Sequence, residues 1–236
     1  MIPINNDVSI FDKTNDLKLT LNRVESTKYL GIIIDQYFRW DKHIIDLLKR
    51  TRFVMSLFHK LKYILSSNQL RVMYYASFHS IRSHGILGWG DAIDTNINLI
   101  QRIQNRLFKT MNLNNNNDKK ILKVRQTFYF FAIKKEIVNL NKLLLDKNDG
   151  DFESNRNNIL KIPKKNKATG QKCYSFVAYK IFNSLPLKLK QFNNFNKDSK
   201  SWSNYLKKWL VNFELQFFIL FNNKNALQHI HIIKFI

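Results

Sequence analysis

Apolar and polar residues alternate strictly near the start of the chain. Leucine occupies residues 17, 19 and 21, and Lys18, Thr20 and Asn22 lie between and after them, the period-two pattern of a half-buried strand. The run Tyr29–Ile34 is short, apolar and rich in β-branched residues, which favours a second strand. With the polar Glu25–Thr27 as a tight connection, the pattern predicts a β-hairpin. Gly31 predicts a bulge or a close backbone approach within it.

A helical period of apolar residues follows the hairpin. Asp41 is placed to cap a helix that we expect to extend to about Leu65, with its apolar positions on one broad arc facing a core. The opposite arc is basic, with Asp46 as the one contrary charge. Such a face is usually only solvated, but it also suits a row of backbone phosphates. The candidate nucleic-acid-binding residues on this arc are Lys42, Lys49, Arg50, Arg52 and Lys60.

Two more helices are predicted before residue 113. Ser66–Ser67 supplies a cap for the first of these helices, and the helical spacing of apolar residues continues up to Gly85–Gly90. In this glycine-rich segment we expect the backbone to turn or to pack closely. That segment does not fit a phosphate-binding glycine loop, because neither the preceding strand nor the closing Lys or Ser/Thr is present. Thr95 is placed to cap the second. Short connections between three helices predict an antiparallel bundle over residues 41–113. In the last helix Ile97, Ile100, Ile103, Leu107, Phe108 and Met111 should face inward, with Arg102, Arg106 and Lys109 outward.

The pattern of apolar residues in 114–236 predicts a C-terminal helical region. A polar, basic linker is expected at about 146–172. The predicted class is therefore α+β, mainly α, with the hairpin in residues 1–40. The expected elements of the C-terminal region are a helical turn at Lys119–Val124, helices at Phe128–Leu145 and Tyr174–Phe182, a break at Asn183–Pro186, and a basic, aromatic helix from about Asp198 to Phe221.

Charge is the most informative part of the composition. The 236 residues, 44% of them hydrophobic, are enough for a real core. Lys and Arg number 39 against 17 Asp and Glu, a formal charge of +22 that favours a polyanionic partner, nucleic acid before membrane. Part of this excess has a second explanation, since Asn, Lys, Ile, Phe and Tyr, all abundant here, have AT-rich codons.

The chain gives little sign of export or membrane insertion. Cys173 is the only cysteine, which excludes an intramolecular disulfide and favours an intracellular setting, cytoplasmic or nuclear. The Met1 end lacks a signal-peptide pattern, and the apolar Trp209–Phe221 segment is interrupted and short for a membrane span. We therefore expect no membrane partner.

The sequence does not contain a recognisable pattern of catalytic residues. Two-metal phosphoryl transfer needs converging carboxylates, usually with an adjacent Asp pair, and the sequence contains no such pair. Asp91 with Asp94 is the nearest approximation outside a polar loop, and it flanks a predicted helix start. The histidines lack metal-ligand spacing, and no Ser or Cys has the pattern of a nucleophile paired with a base. We predict no catalytic residue, no metal ligand and no cofactor in this chain.

A family resemblance is found in two segments that follow each other along the chain, Lys28–Asp35 and Phe38–Ile44. Together they resemble the region just after the palm in reverse transcriptases of non-LTR (LINE-type, jockey-like) retrotransposons. The similarity continues through Leu70–Tyr75, Gly85–Gly90 and Leu99–Arg106, with His84 where the family has a Tyr. A weaker similarity covers Gly170, Phe182–Pro186 and the helix around Tyr205–Leu210, with Trp202 where a Phe is usual.

The resemblance implies a primer grip at Tyr29, Leu30 and Gly31 and a thumb in the helices from Asp41 to Met111. It gives the basic helix face a partner, RNA or an RNA–DNA template–primer. The fingers and the palm, whose carboxylates bind Mg²⁺ in the full-length enzyme, would lie upstream of Met1, so residues 1–40 include a palm remnant and the chain alone should not polymerise. Two alternatives stay open: a stand-alone basic helical module that binds RNA or protein, and a decayed element without a selected function.

Overall fold

The protein is mainly helical, with antiparallel strand pairs at its N-terminal end. The computed structural model describes residues 8–12, 17–21, 24–112, 121–146, 174–190 and 199–212. The strands precede all the helices in this part of the chain. The coarse prediction of an N-terminal hairpin followed by helices is confirmed.

The strand predicted at residues 17–21 forms, but its predicted partner is wrong. Strand β2 (Leu17–Leu21) pairs with β1 (Val8–Asp12), which precedes it, so that Val8 lies opposite Leu21. Strand β3 (Ser26–Tyr29) pairs instead with β4 (Ile32–Asp35). Residues 26 and 27 therefore belong to a strand and are not a connection. Most of β3 is exposed to solvent, and for this reason it carries no apolar alternation in the sequence.

The turn between β3 and β4 consists of Leu30 and Gly31. Both have positive φ, 46° and 81°, the requirement of a type I′ turn, whose twist matches that of the strands it joins. Gly31 adopts this conformation without a Cβ penalty, whereas Leu30 costs about 1–2 kcal/mol there. The glycine thus marks the hairpin turn rather than a bulge.

Helix α1 (Asp41–Leu61) begins without the predicted cap. Trp40 is the N-cap residue, with φ 69° and no capping side-chain hydrogen bond, and Asp41 is the first helical residue. The Asp41 carboxylate accepts a 2.6 Å hydrogen bond from Asn96 Nδ2 instead. The loop before α1 is held by Asp35, whose carboxylate accepts backbone N–H bonds from residues 37 and 39 at 3.0 Å and from Trp40 at 2.7 Å. Burial acts to raise the pKa of Asp35, but these hydrogen bonds outweigh it and hold the pKa below its ordinary value.

A second helical stretch starts with the predicted cap. Ser66 and Gln69 form a reciprocal capping box at the start of α2 (Ser67–Tyr74). The helix continues through a π-helical segment, Tyr75–His79, into α3 (Ser80–Ser83). Gly85, at φ 62°, then turns the chain.

Two helices follow the turn at Gly85, and the second of them is the third helix that the sequence predicts. The short α4 spans Ile86–Trp89, and α5 spans Asp94–Thr110. Ile93 is the N-cap of α5 and makes no side-chain cap, so the expectation that Thr95 caps this helix is wrong. Thr95 lies inside the first turn. The predicted inward and outward sets of α5 are confirmed, since the six apolar residues are buried and the three cations are exposed.

The C-terminal elements are α6 (Val124–Asp146), α7 (Tyr174–Ser184), α8 (Leu187–Lys190) and α9 (Ser199–Asn212). Residues 121–123 are not helical, so the expected turn of helix does not form there, and Lys119 lies outside the described residues. Most of the predicted linker and the extension of α9 to Phe221 also lie outside them.

One continuous hydrophobic core joins the early and late helices. Helix α1 packs on α5 and α3, while α6 packs on α3, α4 and α5 and also on α7 and α9. Ile44, Trp89, Phe128 and Leu206 are buried members of the same cluster. None of the helices described is both long enough and apolar enough to cross a membrane.

Candidate nucleic-acid interface

The outward side of α1 carries three exposed cations, Lys49, Arg52 and Lys60, named here the α1 cationic face. Leu47 and Leu48 point the other way into the core, which fixes the rotation of the helix. Among the described residues, none of the three cations has an ion-pair partner. With a helical rise of 1.5 Å per residue, Lys49 and Lys60 lie about 16 Å apart along the axis. The face is therefore an extended row of available positive charge.

The other two predicted cations make contacts within the protein. Lys42 Nζ lies 3.3 Å from Glu25 Oε2 and donates a 3.1 Å hydrogen bond to Ser26 Oγ, which joins the start of α1 to β3. Arg50 Nη2 lies 3.0 Å from Asp46 Oδ2, but the geometry of this pair falls outside a hydrogen bond. The five predicted residues do not form one equivalent row, because only three are without an acidic partner among the residues described.

Two histidines attach the β3–β4 hairpin to the helices. His84 Nε2 lies 2.9 Å from the Leu30 carbonyl oxygen, so this ring nitrogen carries the proton that is donated. His43 Nδ1 accepts a 3.4 Å hydrogen bond from the Ile33 N–H. These contacts hold both the turn of the hairpin and its second strand.

His43 is suited to its role as an acceptor because it is neutral. Its ring lies between Trp40 and Trp89, with centroid distances of 6.3 and 5.9 Å. Burial, helped by the nearby Arg50 charge, lowers the pKa of His43 to about 4. At neutral pH Nδ1 therefore keeps the lone pair that receives the Ile33 N–H.

Gly85 provides the closest approach between the hairpin and the helices. A Cβ at Gly85 would overlap the Ile32 side chain, so the absence of a side chain there allows β4 to lie against this turn. Trp89 Nε1 donates a 2.9 Å hydrogen bond to the His84 carbonyl oxygen and fixes the same turn. The expectation of close packing at Gly85–Gly90 is confirmed.

The predicted primer-grip residues form the projecting end of this attached hairpin. Tyr29 is 65% exposed and Leu30 is 74% exposed, whereas Gly31 is half-buried against His84. Strand β4 packs on α1. The hairpin tip therefore presents apolar side chains to solvent from a base that the helices hold in place.

A buried polar network in the helical core was missed by the sequence reasoning. Arg82 is fully buried, and its guanidinium donates to Gln104 Oε1 and to the Leu122 carbonyl oxygen, both at 3.0 Å. Gln104 Nε2 donates in turn to the Tyr74 hydroxyl at 3.1 Å and to the same carbonyl at 3.0 Å. In the sequence Arg82 follows Phe78 by four residues, so it falls on the apolar side of a helix. A charged residue at such a position was the available signal of a buried polar network. The network joins three helical segments and has a structural role.

Asp91 and Asp94 do not form a catalytic pair, because both bind Arg125. The guanidinium lies 3.1 Å from Asp91 Oδ1 and 2.6 Å from Asp94 Oδ1, and it also donates to the carbonyl oxygens of Gly90 and Ala92. These carboxylates hold the start of α6 and do not fit the Mg²⁺ chemistry of a polymerase. Within the described ranges no three His, Cys, Asp or Glu residues are grouped closely enough to hold a metal ion.

Comparisons with protein-family models, curated proteins and solved structures gave no match to this chain.

Proposed function

We propose that this chain binds an RNA–DNA or RNA duplex along α1, as the primer-grip and thumb part of a reverse transcriptase of the non-LTR retrotransposon type. The observation that carries the proposal is the α1 cationic face, whose three side chains are exposed and without an acidic partner in the described part of the protein. A duplex presents closely spaced phosphates, and each one neutralised by Lys or Arg releases condensed counterions. The face is long enough to follow several phosphates of one strand.

The attached hairpin supports a second contact in the same complex. Its tip, Leu30 and Gly31, is fixed by His84, and β4 lies against α1, so an end of the duplex held on α1 would lie near the tip. Exposed Tyr29 and Leu30 offer apolar surface for a sugar or a terminal base pair. Under this proposal the hairpin holds a primer end that another part of the polymerase extends.

The role of Lys42 and Arg50 changes in this proposal. Lys42 holds β3 through Glu25 and Ser26, whereas Arg50 pairs with Asp46 one turn earlier in α1, so the charge of each is already engaged within the protein. Sequence-independent binding then depends on Lys49, Arg52 and Lys60. We expect polymerisation to require a group of carboxylates that the described residues of this chain do not bring together.

Anisotropy titration of a fluorescent RNA–DNA hybrid tests the proposal. The variant Lys49→Gln/Arg52→Gln/Lys60→Gln should bind on the order of 100-fold more weakly at 0.15 M salt, if each lost contact contributes about 0.9 to the salt exponent. The matched control is Arg102→Gln/Arg106→Gln/Lys109→Gln, which removes the same charge from the exposed side of α5. Equal weakening by the two variants would show that only net charge matters and would refute a site on α1.

A stand-alone basic module is the second candidate, and the continuous core favours it. Helices α6 and α9 join the same hydrophobic cluster as α1, so the described helices can fold as one cooperative unit. Such a module would bind single-stranded RNA as well as it binds the hybrid. A preference for the hybrid supports the polymerase-derived role, while aggregation on size exclusion without any binding supports a decayed element.

A further inference from the structure

The surface formed by α8 and α9 contains a second concentration of positive charge. Helices α8 and α9 contain five lysines, and the described segments 174–190 and 199–212 contain no acidic residue. Lys188 of α8 and Lys208 of α9 converge on one side chain, since each Nζ lies 5.8 Å from the ring centroid of Tyr205. Both lysines are exposed and Tyr205 is 47% exposed, so this group, named here the Tyr205 site, is open to solvent.

The core fixes the backbone beneath the Tyr205 site. Trp202 is buried, and its indole Nε1 donates a 3.1 Å hydrogen bond to the Leu189 carbonyl oxygen, which joins α9 directly to α8. Leu206 is fully buried next to Tyr205 in the sequence, and Gln126 Nε2 donates to the Leu210 carbonyl oxygen at 3.0 Å. The convergence of the two lysines is thus set by buried neighbours and not by their flexible stems alone.

The composition of the site indicates the chemistry of a ligand. Two ammonium groups repel each other beside one ring, and no carboxylate in segments 174–190 and 199–212 offsets them, so a bound anion would relieve the repulsion. The aromatic ring adds a surface on which a planar base can stack, once the lysine stems turn toward the flanking phosphates. A ring with two cations beside it suits a nucleotide of a single strand, whose base is not held in a duplex stack.

We propose that the Tyr205 site binds one nucleotide of single-stranded nucleic acid, with its base on Tyr205 and the adjacent phosphates on Lys188 and Lys208. The site is on α8 and α9, whereas the α1 cationic face is on a different helix. It does not rest on the duplex-binding role proposed above. A chain with both sites would hold a duplex and an unpaired strand at the same time.

The test measures the affinity of the full chain for a fluorescent oligothymidylate across a salt series. Lys188→Gln/Lys208→Gln should reduce the magnitude of the salt slope by about 1.4, from about 0.7 per phosphate contact on a single strand. The matched control is Lys134→Gln/Lys135→Gln, which removes the same charge from exposed positions on α6 and should leave the slope unchanged. Tyr205→Leu should weaken binding about 5-fold to 150-fold, while Tyr205→Phe keeps the stacking ring and should bind like the unaltered chain.

Three results would overturn the proposal. An equal reduction of the salt slope in the Lys134→Gln/Lys135→Gln control would show that only net charge matters. An unchanged affinity of Tyr205→Leu for the oligothymidylate would exclude stacking. Polyglutamate that competes as well as unlabelled oligothymidylate would exclude nucleic-acid recognition. Thermal melting of each variant by circular dichroism verifies that the fold is retained. The α1 triple variant separates the two proposals, because it should lose hybrid binding while keeping its affinity for the oligothymidylate.

Discussion

Replacing Gly85 by Ala tests whether the hairpin is attached to the helices as described. Gly85 has φ 62°, a left-handed conformation that costs an alanine about 1–2 kcal/mol. The new methyl group would also overlap Ile32, and overpacking of this kind costs about 1–3 kcal/mol. We therefore expect Gly85→Ala to lower the free energy of unfolding by about 2–5 kcal/mol, the sum of the two costs.

Urea denaturation of a double-mutant cycle separates these two contributions. In an Ile32→Ala background the overlap disappears, so Gly85→Ala should cost only about 1–2 kcal/mol, the backbone part. Gly88→Ala is the matched control, because its Cβ would meet the Trp40 ring at an ordinary 3.4 Å. Its free energy of unfolding should stay within about 1 kcal/mol of the unaltered chain, since alanine favours helix.

Hydrogen exchange reports on the same contact from the hairpin side. The Ile33 amide, which donates to His43, should exchange faster in Gly85→Ala than in Gly88→Ala. An equal cost of Gly85→Ala with and without the Ile32 side chain would show that β4 does not lie against this turn.

Two further changes address the buried polar groups. Burial lowers the pKa of His43 and of His79 to about 4, below the unfolded value of 6.5. Between about pH 4 and 6.5 the unfolded state therefore binds more protons than the folded state. The contribution of these histidines to stability should be constant above about pH 6.5 and should fall as the pH drops toward 4. The loss is at most about 3 kcal/mol per histidine and smaller where water reaches the ring. In urea titrations His43→Asn should remove the His43 share of this pH dependence and leave the share of His79. Gln104→Leu leaves Arg82 Nη1 and the Tyr74 hydroxyl without a partner, so calorimetry should show a loss of about 2–4 kcal/mol. The exposed Asn105→Ala should change stability by less than about 0.5 kcal/mol, and equal losses in the two variants would contradict the network.

The helices were predictable because burial imposes a helical period on them. Ile97, Ile100 and Leu107 are buried as expected, and so are Leu47 and Phe58 in α1. The pairing of β3 was not predictable in the same way, because most of that strand is exposed and lacks alternation. The turn was obscured as well, since a leucine occupies one of its two positive-φ positions.

Helix caps and the candidate site were predictable only in part. Trp40 and Ile93 precede their helices without a capping side chain, so nearby Asp41 and Thr95 were the natural but wrong choices. The exposure of Lys49 follows from the period of α1. The Lys42–Glu25 contact does not, because it depends on how the hairpin packs against the helix.

The salt dependence of hybrid binding tests the role of α1 most directly. A plot of log K against log salt concentration should be steeper for the unaltered chain than for Lys49→Gln/Arg52→Gln/Lys60→Gln by about 2.7, or 0.9 for each of three phosphate contacts. The control Arg102→Gln/Arg106→Gln/Lys109→Gln should keep the slope of the unaltered chain. Identical slopes for the α1 variant and the unaltered chain would contradict duplex binding on this face.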